Sequence, residues 1–163
     1  MNRLLLYLLL GLLVLIGLQA GISYSHLMQW SGKQALTVAE YIRVQNVLIQ
    51  YKLGVGLLEV PTLIVLPVTV YMAYRDRTGF AASLLASLLF LTLFGIWASF
   101  IEPINRLVDH WTPRQFPADW TAYRLRWHQW HGFRFVLFVL MLLALTKAIL
   151  DVVFRSSPVA NSL

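Results

Sequence analysis

The sequence contains no cysteine. That excludes disulfides, thiolate metal ligands and cysteine-linked haem, and it removes redox usage as a guide to compartment. Charge is the next scarcity. Aspartate and glutamate together number 7, and charged residues of both signs make up 12% of the 163-residue chain, where soluble domains carry about 25%. Certain motifs are also missing. Gly54 and Gly56 precede an apolar run and lack the spacing of a phosphate loop, and there is no nucleophile elbow. No His-Glu-x-x-His or Glu-x-x-His pairing of the di-iron bundles occurs. The chain has no internal repeat and no low-complexity stretch.

Apolar sequence fills the space that charge leaves. Hydrophobic residues make up 59% of the chain, too much for a surface facing water on all sides. A helix needs about 20 such residues to cross the hydrocarbon core. Four runs qualify: 4–25, 53–74, 80–101 and 133–154. They lack the alternation of membrane β-strands and are about twice as long. The expected fold is an all-α membrane protein, a single domain built as a four-transmembrane-helix bundle. The first run, with Arg3 ahead of it, also resembles a secretory signal. Leu18 is too large for a cleavage site near Ala20, so the run reads as an uncut span. The net charge of +6 raises nucleic-acid binding, but the basic residues fall between apolar runs, where they anchor to headgroups. The expected partner is the lipid bilayer, with no nucleic acid. A homo-oligomer or a larger membrane complex is compatible with this reading.

The connections are unequal. A tight basic turn, RDRTG at 75–79, joins the second and third spans, and the other two connections are long. Long connections usually carry structure or function. In the first, SGK at 31–33 reads as a turn, and Thr37 to Glu40 reads as a capping box opening a helix that merges into the second span. In the second, Pro113 and Pro117 forbid a continuous helix, and Asp119 is positioned to cap one that runs into the fourth span. The tail at 156–163 reads as frayed. Arg3, the short basic turn and Arg155 share one side, which the positive-inside rule places in the cytoplasm. The long connections hold further basic residues on folded-back helices, which count less. The expected location is the inner membrane, with both termini cytoplasmic.

Ionisable groups inside a span are costly and normally face the bundle interior or water. Glu59 lies six residues into the second span. His26 ends the first, Glu102 and Asn105 flank Pro103 at the end of the third, and His128, His131 and Arg134 open the fourth. All emerge on the side of the long connections, so one cavity near that face is expected. Within RLRWHQWHGFR at 124–134, helical spacing aligns Trp120, Tyr123 or Arg124, Trp127, His131 and Arg134, with Trp130 beside Arg134. That stripe is either an interfacial aromatic belt with snorkelling arginines or a pocket wall. In the second reading His131 is an acid or base and Arg134 an anion clamp. Glu59 is either a structural partner for Arg134 or His131, or a buried carboxylate able to take a proton near neutral pH. His128 and His110 read as surface residues, and Lys147 with Asp151 as an exposed ion pair on the far side. His26 and His131 could ligate haem axially, or join Glu59 and Glu102 at a metal. Two imidazoles at HQWH are weak evidence for a metal, so no metal or cofactor is expected.

SHL at 25–27, SGK, VQN at 44–46, LEVP at 58–61, IEPIN at 101–105 and RWHQWHGFR together resemble a family of small four-helix bacterial membrane proteins grouped with the fungal anthrone oxygenases. The resemblance spans roughly residues 10 to 150. Ser31 stands where such relatives carry proline. The resemblance implies oxidation of an electron-rich phenol or quinol by dioxygen, without metal or flavin. It implies His131 or Glu59 as base, Arg134 and Asn105 as oxyanion donors, and Trp127 stacking on the ligand rings. Trp130, His26 and Glu102 would complete the binding wall around a hydrophobic, aromatic or quinone-like ligand. The alternatives are a non-catalytic membrane subunit or lipid or quinone binder, and a haem or metal protein.

The orientation is directly testable because the chain has no native cysteine. A cysteine introduced at Thr78 should resist an impermeant thiol reagent applied from outside. Ready labelling there would invert the topology.

Overall fold

The computed structural model describes residues 2–49 and 52–155. Two expectations fall outside this range: the frayed tail at 156–163 and the join at 50–51 between the first connection and the second span. Among the described residues the chain is predominantly helical and contains no strand. Four segments are long and apolar enough to cross a membrane: Arg3–Met28, Gly56–Arg75, Phe80–Asp109 and Trp120–Phe154. The protein is an all-α membrane bundle.

Helix α1 (Arg3–Met28) starts at Asn2, whose side-chain oxygen accepts from the amides of Leu4 and Leu5. It buries Leu5, Leu9, Leu12, Ile16, Gln19, Ala20 and Ser23, a single face at helical spacing. A short α2 (Trp30–Gln34) follows, so SGK is helical and not a turn. Its residues continue the backbone hydrogen bonding that leaves α1, through Lys33 N–H to the Gln29 carbonyl. The capping box forms as expected. The Thr37 amide donates to Glu40 Oε2 at 2.8 Å and the Glu40 amide to Thr37 Oγ1 at 3.4 Å, opening α3 (Val38–Ile49). The Thr37 hydroxyl also donates to Glu40 Oε2 at 2.7 Å, and this bond, with the Thr37 amide bond and nearby Arg43, holds the Glu40 carboxyl below its ordinary range.

Helix α4 (Lys52–Arg75) and α5 (Phe80–Ile96) are joined by the basic turn. The third span does not stop at Pro103. Proline has no amide proton to return to the carbonyl four residues back. The chain widens into a π-helical turn at Trp97–Ile101, where the Glu102 amide reaches the Trp97 carbonyl, and then continues as α6 (Glu102–Asp109). Pro113 and Pro117 do end helicity. Pro113 sits inside a small turn closed by Thr112 and Gln115, and Pro117 follows it. Helix α7 (Trp120–Phe154) begins at Asp119 as expected, but the Asp119 side chain makes no capping hydrogen bond. With 35 residues α7 is about 50 Å long, so its first turns project beyond the hydrocarbon core.

The four long helices form a ring in the order α1, α7, α5, α4, each packed on its two neighbours. Helices α4 and α7 therefore stand at opposite corners. Ala144 and Ala148 on the buried stripe of α7 permit close approach there. Gln19 supplies polar glue between α1 and α4, donating to Thr62 Oγ1 at 3.0 Å. Helix α3 lies against α6 at the other end of the bundle.

One end of the ring is tied shut. Asn2 donates to Asp76, Arg155 donates to the carbonyls of Asp76 and Arg77, and Thr78 donates to the Asp151 carbonyl. The exposed Lys147–Asp151 pair, 2.6 Å apart, sits at this end as expected. Gly79 completes the turn at φ +64°, with its Cα hydrogens against Ala148. An added Cβ would lie 3.0 Å from the Ala148 carbonyl oxygen. Gly79→Ala should therefore cost about 1–2 kcal/mol from left-handed backbone strain and lost close packing. A thermal unfolding curve in detergent checks this, and an unchanged midpoint would show that the turn relaxes freely. The Asn2 bond and neighbouring Arg75 hold the Asp76 carboxyl below its ordinary range. The contribution of this clasp is complete above that ordinary range and is lost as pH falls through the lowered value.

A candidate site at the open end of the bundle

At the opposite end the ring encloses a cavity of about 720 Å³, within the usual range for small-molecule sites. All four membrane spans contribute to its wall, the third through its π turn and α6 and not through α5. From α1 come Gln19, Ser23 and His26, and from α3 Gln45. Gly56 and Glu59 come from α4, and Trp97 and Ile101 from the π turn. Helix α6 adds Glu102 and Asn105, and α7 adds Trp127, His131, Arg134 and Phe138.

The polar groups are organised in three clusters. In the first, Arg134 Nη2 meets Glu59 Oε1 at 3.1 Å, with both side chains largely buried at 7% and 13% exposure. This is the structural pairing that was one reading of Glu59. Arg134 Nε has no hydrogen-bond partner among the described residues. In the second, His26, His131 and Trp127 pack ring against ring. The imidazole centres are 4.4 Å apart, and Trp127 lies 4.1 Å from His131 and 4.9 Å from His26. Both histidines have a buried Nδ1 without a partner among the described residues. In the third, Trp127 Nε1 donates to Asn105 Oδ1 at 2.8 Å, Asn105 Nδ2 donates weakly to Glu102 at 3.4 Å, and Arg106 pairs with Glu102 at 3.1 Å.

His131, Glu59, Arg134, Asn105, Trp127, His26 and Glu102 thus share one cavity. Trp130 does not join them. It stacks on Phe100 at 4.0 Å and meets Phe133 edge-on, away from the lining. One helical step separates it from His131, and that step turns it toward α5. His128 is half-buried, stacked on Trp30 at 4.1 Å, and so is not a plain surface residue. His110 is exposed as expected, its Nδ1 bonded to the Arg106 carbonyl. Axial haem ligation does not fit the imidazole pair. Two rings on opposite faces of one iron have centres about 6 Å apart, given bonds of about 2 Å to nitrogen, well beyond the 4.4 Å here. Among the described residues no group of three or more His, Cys, Asp or Glu is placed to hold a metal.

Two residues that carry the site were not singled out by sequence. Lys33 is 4% exposed, with Nζ 3.3 Å from Gln45 Oε1 and 4.4 Å above the Trp127 ring. Burial pushes its pKa down to about 8. Arg124 is also buried. It donates to the Lys33 carbonyl at 2.7 Å and to Gln34, and stacks over Trp120 at 4.7 Å. It thereby satisfies the C-terminal carbonyl end of α2 and fixes α2 over the end of the bundle. In sequence both looked like ordinary interfacial cations. Only the amphipathic spacing of Arg124 with Trp120, Trp127 and His131 carried a signal.

No known protein family, curated protein or solved structure matches this chain. The site must be read from its own chemistry.

The buried Glu59–Arg134 pair gives a stability prediction. Removing one member strands the other charge, so Glu59→Leu should cost about 3–5 kcal/mol. The double replacement Glu59→Leu with Arg134→Leu should recover most of that loss. Unfolding midpoints of the four proteins in one detergent form the test. Equal losses in single and double variants would show that the two groups are not coupled.

Proposed function

We propose that this membrane protein binds a flat, oxygen-bearing aromatic molecule in the open-end cavity and oxidises it with dioxygen. On this reading the protein lies in the inner membrane with Arg75, Arg77 and both termini on the cytoplasmic side. The observation that carries the proposal is the imidazole pair in the cavity wall, His131 buried and His26 half-buried. His26 and His131 line an apolar cavity of suitable size, and each has a ring nitrogen without a partner. An unsatisfied buried acceptor is costly, and a ligand hydroxyl or an acidic C–H would meet it.

The chemistry asks little of the protein. His131 takes a proton from an acidic ring carbon, and the carbanion gives an electron to dioxygen. Recombination forms a carbon–oxygen bond as a peroxide, and loss of water leaves a carbonyl. One oxygen atom enters the product and one leaves in water. Arg134, whose Nε has no partner among the described residues, and the side-chain amide of Asn105 line the same cavity and would serve as donors to the developing oxyanion. The resemblance to anthrone oxygenases supports the same assignment. A second reading, binding without turnover, is favoured by one feature. Glu59 and Arg134 already satisfy each other, which suits a static wall.

Oxygen uptake by the detergent-purified protein with a hydroxylated tricyclic anthrone separates the two readings. Turnover should need no added metal and should survive chelation. His131→Ala should lose about 10²–10⁴-fold in rate, the usual contribution of a general base. Saturable binding without oxygen uptake would leave the second reading. Uptake unchanged after both His131 and Glu59 are replaced would overturn the catalytic proposal.

A further inference from the structure

The charges around the cavity do not balance. Its two lining carboxylates are each bound to an arginine, Glu59 to Arg134 and Glu102 to Arg106. Lys33 has no such partner. Among the described residues its Nζ interacts with the neutral amide oxygen of Gln45 and the face of the Trp127 indole. No carboxylate among the described residues forms an ion pair with it. The other ionisable groups that act with it are His26 from α1 and His128 and His131 from α7, and Arg124 from α7 holds its carbonyl. None of these is acidic. An amide dipole and a π face attract a cation but supply no full negative charge. Gln45 and Trp127 both line the cavity, so the Lys33 charge stands one side chain behind its wall.

We infer that the cavity takes its aromatic ligand as an anion, an ionised phenol or enol, and that Lys33 is the positioning charge that favours this form. The inference rests on the proposed function and names the substrate class for the same site. A buried cation facing a low-dielectric cavity lowers the cost of a negative charge placed there. The effect also suits the reaction, because a deprotonated ring is the form that gives an electron to dioxygen. With a pKa of about 8 and no ligand present, Lys33 is still mostly protonated at neutral pH. An anion in the cavity would hold that proton more tightly.

The test uses 2-hydroxyanthraquinone, whose visible band moves to the red on ionisation, and its methyl ether, which cannot ionise. Both are titrated into the full-length protein in detergent. The hydroxy compound should bind at least about tenfold more tightly than the ether at a pH where it is largely ionised. Bound to the protein, it should ionise at least about one pH unit lower than in empty micelles, the shift expected from an opposite charge nearby. Lys33→Gln should return most of that shift, and Lys33→Arg should keep it. A bound probe that ionises no lower than in micelles overturns the inference from the wild-type protein alone. An unchanged shift in a folded Lys33→Gln protein removes Lys33 from it. Saturable binding of both compounds with equal affinity would sustain the proposed binding function while rejecting the anionic ligand. Failure of both compounds to bind would overturn the proposed function and this inference together.

Discussion

The ion pair between Glu59 and Arg134 joins opposite corners of the helix ring. Helices α4 and α7 do not pack on each other as neighbours do, so their connection at this level runs through two long side chains meeting across the middle. Hydrocarbon could not fill that gap without drawing the corners together, and water could not be tolerated without polar partners. The paired charges satisfy both limits. They hold α4 and α7 apart at a fixed distance and leave room beside them. The strut forms part of the cavity wall, and the histidine and asparagine clusters line the same space.

The two ends of the bundle solve different problems. At the Asp76 end, side chains and carbonyls close on each other, and glycine lets backbone meet backbone. At the His26 end, large rings and cations stand in contact without all their polar atoms being satisfied. Unsatisfied buried atoms lower stability, and most of them stand at one end, beside the cavity, where the proposed ligand would offset that loss. The position of Arg124 belongs to the same scheme. By bonding to the Lys33 carbonyl and the Gln34 side chain it fixes α2 with Lys33 turned inward, so a cation far along the chain bears on the electrostatics of the pocket.

The architecture was legible because hydrophobic run length is a direct physical requirement of the bilayer. The number and order of the spans, the Thr37–Glu40 box and the far-side Lys147–Asp151 pair all followed from local rules. The grouping of His26, Glu59, Asn105 and His131 was legible for a similar reason, since alternating spans send polar groups near their ends to a common face. What could not be read depended on distances between elements. Proline at 103 signals a helix end, and only the π turn ahead of it lets the helix continue. Trp130 and His131 are adjacent in sequence, but they differ by about 100° around the helix, and which of them faces the cavity depends on where α5 packs. Lys33 looked like a headgroup anchor because nothing local reveals that α2 folds inward. Gln19 and Gln45 gave no signal, being neutral residues whose importance comes from the partners that packing supplies.

The clasp at the Asp76 end has a mechanical consequence. It ties the start of α1, the α4–α5 turn and the end of α7 at one level, which makes that end a pivot and each helix a lever. From Arg75 to Gly56 the lever is about 30 Å, at 1.5 Å per residue. A tilt of about 5° about the clasp would move the far end by about 2.5 Å, enough to widen a slot to the thickness of a flat ring with little sliding at the base. On the proposed function, such a forceps motion of rods held at one end would admit a planar molecule without unfolding, the Glu59–Arg134 pair being the contact that must yield.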